Sequence, residues 1–274
     1  MKGLLLALAL VVPCVAHAAE VASVEVRDGV SEAYLLIRSG TSEPKAIVFS
    51  FVGGEGAINL VRRAEKGPPS FGRGANFLIR VRDALAGDDI ADVIVDAPSD
   101  RLPGGMTDDF RAGETHAADI AKVIAELQTR FPRSPIYLLG TSRGTISAAN
   151  VAKHLGDAVK GVILASTVTV PDRIGPGLSR FDFGTIKVPM LWIHHRGDAC
   201  RSSPYAVAHQ AAGEAPFVSV QGGAPPESGP CEPLSPHGYF GREDGAVQVI
   251  RSFVLGRDYV REIALSNERQ PLPI

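Results

Sequence analysis

Residues 135–149 read PIYLLGTSRGTISAA: an apolar run, then Gly140-Thr141-Ser142-Arg143-Gly144, then small helix-forming residues. Such a stretch is satisfied by a buried strand, a sharp turn and a helix, with Ser142 at the tip. A residue on so tight a turn sits in strained backbone, and side chains at positions 140 and 144 would crowd the adjoining strand and helix, so glycine belongs at both. The turn lifts the Ser142 hydroxyl clear of the sheet. It also leaves the Arg143 N–H at a helix N-terminus, where it can stabilise a developing oxyanion. The plainer reading of the same residues is a glycine-rich turn with serine as helix cap.

The rest of the chain alternates in the same way. Strands are expected at 21–27, 33–38, 45–51, 91–95, 161–166 and 188–194, the first two as an antiparallel entry to the sheet. Helices are expected at 75–86, 113–131, from the Ser142 turn to 155, and at 246–255; Ile120, Val123, Ile124 and Leu127 share one helical face. Apolar strands separated by amphipathic helices imply an α/β fold, a mostly parallel central sheet with helices on both faces. The 274 residues, 45% of them hydrophobic, can bury one large core, and no internal repeat is visible. Two Gly/Pro-rich stretches, 171–184 and 221–236, are long loops expected near the strand C-termini, where open α/β sheets bind ligands. A net charge of −2 with dispersed Lys and Arg offers no footprint for a nucleic acid.

Residues 1–18 have the pattern of a signal peptide: Lys2, an apolar stretch over 3–15, and Ala16-His17-Ala18 as the cleavage site. A single domain is then expected over 19–274, exported to the periplasm or the extracellular space. The apolar run is too short to span a bilayer, so no stable membrane insertion is expected after cleavage. Cys14 lacks the small preceding residue that lipidation would use, Val12-Pro13 standing there instead. Cys200 and Cys231 remain as an even pair for an oxidising compartment, and a disulfide between them closes a loop worth roughly 3–4 kcal/mol in the chain-entropy account. Two separate buried thiols are the alternative.

With these features in place, the chain resembles the α/β-hydrolase family over nearly all of residues 19–274. The resemblance implies a nucleophile, then an acid after a later strand, then a histidine in a loop before the last helix. The matching positions are Ser142, Asp198 and His237: Asp198 follows the run Met190-Leu191-Trp192-Ile193-His194-His195 through Arg196-Gly197, and His237 lies in Ser235-Pro236-His237-Gly238-Tyr239. The short intervals between them suit a compact member with no large lid. The chemistry needs each type: a neutral imidazole takes the serine proton, and a carboxylate holds its tautomer and stabilises the imidazolium. The second oxyanion donor is expected from Val52-Gly53-Gly54, with Gly53 or Val52 favoured; the histidine usual at this place in the family is absent. A disulfide between Cys200 and Cys231 would tie the acid loop to the histidine loop.

The implied function is a serine esterase acting on a small-molecule carboxylic ester, with no cofactor and no metal. An amidase or peptidase using the same residues is the nearest alternative, and a noncatalytic binding protein on the same scaffold is a more distant one. Asp172 is the substitute acid. Asp198 could instead cap a helix near Ser203, and His237 could be an ordinary loop histidine. His116 and His154 fall on helices, and a metal site from His194, His195 and Asp198 is disfavoured because adjacent strand residues point to opposite faces. Arg143 is expected either to reach into the cleft or, more in keeping with a long charged side chain, to remain on the surface.

Overall fold

The computed structural model describes residues 17–40 and 42–264. Of the proposed leader, residues 1–16 lie outside the described residues, while His17 and Ala18 open the first strand. In chain order the elements are β1 His17–Arg27, β2 Val30–Ser39, β3 Ala46–Phe51, α1 Leu60–Ala64, α2 Phe77–Ala86, β4 Ile90–Val95, α3 Asp108–Arg111, α4 Glu114–Arg130, β5 Ile136–Thr141 and α5 Gly144–Leu155. Then follow β6 Gly161–Ala165, β7 Met190–His195, α6 Tyr205–Ala212, β8 Phe217–Val220, α7 Glu243–Val254 and β9 Glu262–Ile263.

The strands form one sheet of order β1-β2-β4-β3-β5-β6-β7-β8-β9. The β1–β2 and β2–β4 pairs are antiparallel, and every later pair is parallel. The expected antiparallel entry and parallel body are therefore both present. Strict alternation sends successive side chains to opposite faces. Ile47, Phe49, Leu138, Leu164 and Trp192 pack in one core with residues of α4, α5 and α6, among them Ile120, Val123, Ile146 and Ala208. Val48, Leu139, Ile163, Leu191 and Ile193 pack in the other with residues of α1, α2 and α7, among them Leu60, Leu78, Leu85 and Ile250. β3 is buried along its whole length, as expected of a parallel strand covered on both sides.

The short elements α1, α3, β8 and β9 carry no pattern of their own. Two- to five-residue segments gain their geometry from pairing and packing rather than from periodicity. Asp96, directly after β4, shows how: its carboxylate accepts from the backbone N–H groups of Ile58, Asn59, Leu60 and Ala97, starting α1 from across the sheet edge.

Candidate active site

Ser142 stands between the end of β5 and the start of α5 with φ 53°, a left-handed value for a residue with a side chain. Neighbours hold it there: Ser142 N donates to Ala165 O at 3.0 Å, and Thr145 N and Oγ1 donate to Ser142 O at 3.0 and 2.6 Å. Both flanking glycines are sterically required. A Cβ on Gly144 would lie 1.9 Å from Phe51 O, and one on Gly140 would lie 2.4 Å from Gly144 O.

Asp198 follows β7 and His237 sits in a short 3₁₀ turn, Pro236–Gly238, that Ser235 caps. Asp198 Oδ2 is 2.8 Å from His237 Nδ1, and Asp198 Oδ1 accepts from Cys200 N at 2.9 Å. The two side chains are 0% and 5% exposed, so their interaction is shielded from water. Because Nδ1 donates to the carboxylate, Nε2 is left as the imidazole's acceptor. That atom is buried without a hydrogen-bond partner among the described residues. His237 is fixed from behind as well. Ser166 Oγ donates to His237 O at 2.8 Å, and Tyr239 O–H donates to Ile193 O at 2.6 Å. Arg80 reaches the carbonyls of Pro233 and Gly238 and the Glu243 carboxylate, which secures the same turn to α2 and α7.

Cys200 and Cys231 are joined as a disulfide, with Cα atoms 4.6 Å apart. It links the segment after Asp198 to the segment before His237, as the sequence suggested.

Ser142 and His237 line one pocket of about 290 Å³ with Gly53, Gly54, Asn76, Phe77 and Glu232. Gly53 lies directly against the serine: a Cβ on it would be 2.8 Å from Ser142 Cβ and 3.0 Å from Thr141 O. Its amide joins no backbone hydrogen bond among the described residues, and the Arg143 amide, at the N-cap of α5, has no acceptor within the helix. Val52 lines instead a neighbouring cavity of about 570 Å³, which Gly53 and Asn76 share and to which Ile58, Arg63, Phe71 and Ile79 contribute. Of the two donors considered, Gly53 is therefore the one the fold sets beside Ser142. The 52–54 segment is held by buried Arg111, whose guanidinium donates to the carbonyls of Val52 and Gly54 and to Ser147 Oγ. Burial lowers the Arg111 pKa to about 10, which leaves it charged at neutral pH.

A sharp strand-to-helix turn at Ser142 and a carboxylate-held imidazole both lie at strand C-termini of a mostly parallel sheet, and the comparisons bear on that fold. The family model of the serine aminopeptidases S33 matches residues 76–195. Among solved structures, an α/β serine hydrolase homologue from Coxiella burnetii superposes with TM-score 0.59 at 15% identity, covering 85% of this chain and 96% of that one. Est1E from Butyrivibrio proteoclasticus does so with TM-score 0.60 at 14% identity, covering 86% and 98%. XC6422 from Xanthomonas campestris, described as an α/β serine hydrolase without a lid, gives TM-score 0.54 at 13% identity, covering 85% and 92%. No curated protein matches the sequence. This protein has the α/β-hydrolase fold.

Within this fold, Arg143 corrects the expectation drawn from its sequence. Its side chain is neither on the surface nor free in the cleft: it is 7% exposed and ion-paired with both Asp108 and Asp172. A long cation is tolerated there because two carboxylates, from α3 and from the 171–184 loop, neutralise it. That partnership also occupies Asp172, the substitute acid, which makes no contact with His237. His194 and His195 do point to opposite faces. His194 stacks between Trp192 and Phe217 and accepts from Thr167 N, while His195 Nε2 meets Gly222 O at 2.8 Å. Burial drives the His194 pKa down to about 3, so it is neutral under ordinary conditions. His116 is buried on α4 and His154 lies exposed on α5. Among the described residues no cluster of three or more His, Cys, Asp or Glu is arranged to hold a metal, and no helix is long and apolar enough to cross a membrane.

Sequence reasoning passed over Arg111, Arg80 and Asn76. The first two act through backbone carbonyls distant in sequence, which leave no local signature. Asn76 had one, an N-cap residue directly before an apolar helical run.

Proposed function

We propose that the protein is an exported serine hydrolase that cleaves carboxylic esters through an acyl-enzyme intermediate. The observation that carries this reading is the 2.8 Å contact between His237 Nδ1 and Asp198 Oδ2, which leaves a buried, unpaired Nε2 in the pocket that Ser142 lines. In the proposed reaction His237 Nε2 takes the Ser142 proton as Oγ attacks the ester carbonyl. The carbonyl oxygen becomes an oxyanion that accepts from the N–H groups of Arg143 and Gly53. Collapse expels the alcohol, which receives the proton from His237, and water activated by the same imidazole then releases the acid. Asp198 keeps Nδ1 protonated throughout. The cavity of about 570 Å³ beside Gly53 has room for a small or medium substituent of the ester.

Cleavage of a peptide or other amide at the same groups is a second reading, favoured by the aminopeptidase description of the matching family model. Export is supported by the disulfide, a bond that persists in oxidising compartments, and by the leader-like pattern of residues 1–18. The purified protein should turn over a short-to-long series of aryl esters faster than the matching anilides. In Ser142→Ala kcat should fall roughly a million-fold. Equal turnover by wild type and Ser142→Ala would remove the serine mechanism, and faster anilide turnover would favour the second reading.

A further inference from the structure

We propose that the side-chain amide of Asn76 is a third oxyanion donor, acting beside the two backbone N–H groups. This rests on the serine hydrolase reading above. Asn76 is the N-cap of α2, and its Oδ1 accepts from Leu78 N at 3.0 Å. Only the oxygen of an amide can accept, so the capping bond fixes which way the group is turned and directs the two protons of Nδ2 away from the helix. Those protons meet the nucleophile's surroundings. The point where a Cβ on Gly53 would sit is 3.3 Å from Asn76 Nδ2 and 2.8 Å from Ser142 Cβ, so Asn76 Nδ2 and Ser142 flank the same small space.

Asn76 also lines the same pocket as Ser142 and His237, and no lysine or arginine lines it. Negative charge forming there meets no lysine or arginine; the His237 imidazolium is the one cation the reaction itself creates on the wall, and Glu232 is the carboxylate there. A neutral donor held rigidly by its own capping bond stabilises such charge without reorganising during the reaction. The start of α2 adds the positive end of a ten-residue helix on the same side. The cap and the donor thus use opposite ends of one amide group.

The two roles separate by mutation. Serine and aspartate both cap helices, so Asn76→Ser and Asn76→Asp keep the structural role; aspartate has no donor, and serine removes the Nδ2 protons, leaving one hydroxyl proton on a shorter side chain. With an aryl ester, Asn76→Ser should lower kcat by about 10²–10³ with KM within about threefold of wild type. Its melting temperature should stay within about 2 °C, since one good cap replaces another. Affinity for an aryl boronic acid, whose serine adduct carries a tetrahedral anionic centre, should fall in parallel with kcat. If both variants fold and Asn76→Ser keeps kcat within threefold of wild type, Asn76 is a cap alone and the proposal is overturned while the hydrolase reading stands. If the folded wild type neither turns over the ester nor is labelled at Ser142 by a fluorophosphonate, both fall together.

Discussion

Two glycines that look alike in sequence do different work around Ser142. Gly144 is a packing requirement: its missing Cβ makes room for Phe51 O, a backbone atom of β3 that cannot swing aside. Gly144→Ala should cost roughly 3 kcal/mol or more and lower the melting temperature sharply, as read by thermal denaturation. Gly53 is an access requirement. A Cβ there would press on Ser142 Cβ and enter the reaction space, so Gly53→Ala should lower kcat at least tenfold in an ester assay, with a much smaller loss of melting temperature than Gly144→Ala. The pattern Gly140-x-Ser142-x-Gly144 made the first requirement readable, because a tight strand-to-helix turn has few solutions. The partner of Gly53 was not readable, since nothing in Val52-Gly53-Gly54 says which residue lies against the serine; the fold sets Gly53 there, a Cβ on it falling 2.8 Å from Ser142 Cβ, while Arg111 holds the carbonyls on either side.

At the level of elements, the long periodic segments could be read almost to their ends, and the candidate site residues could be placed where they hang from them. Ser142 follows β5, Asp198 follows β7, and His237 precedes α7, each an element with a clear apolar pattern. The reading failed where an element is short or where a side chain's partner comes from far away. Arg143 illustrates the second case. Its identity suggested solvent, but α3 and the 171–184 loop each bring an aspartate to it, a convergence invisible to any local window. Through this cation three segments are clamped over the start of α5, with Asp108 also accepting from Gly177 N at 2.8 Å. Arg143→Met should leave the buried Asp108 without its cation and destabilise the protein by about 3–5 kcal/mol, measured as a shift in the urea midpoint.

For the molecule as a whole, the interior holds ionisable groups whose effects on stability run in opposite directions with pH. Burial raises the Asp92 pKa to about 7, although Ser50 Oγ donates to it at 2.6 Å. Desolvation also raises Glu32, whose oxygens have no hydrogen-bond partner among the described residues. A carboxyl raised in the folded state keeps a proton that the unfolded chain has released, so its contribution is present below the ordinary carboxyl range and lost as pH climbs through the folded value. His116 behaves oppositely. Burial first, then nearby Arg111, lowers its pKa to about 3, so its contribution is present above the ordinary imidazole value and lost as pH falls towards 3. The two trends offset each other in mildly acidic solution. Nearer neutrality the histidine no longer titrates and Asp92 still does. Asp92→Asn should therefore match wild type near pH 4 and exceed it at pH 8, by on the order of 1–4 kcal/mol in denaturant titrations.

The disulfide has a consequence for survival as well as for geometry. Asp198 and Cys200 lie on one side of the loop it closes, and Cys231 and His237 on the other. A protease that cuts any peptide bond between Cys200 and Cys231 produces two pieces that remain covalently joined, with the acid on the first and the histidine on the second. The part of the 221–236 loop before Cys231 is then a segment where a nick does not part Asp198 from His237.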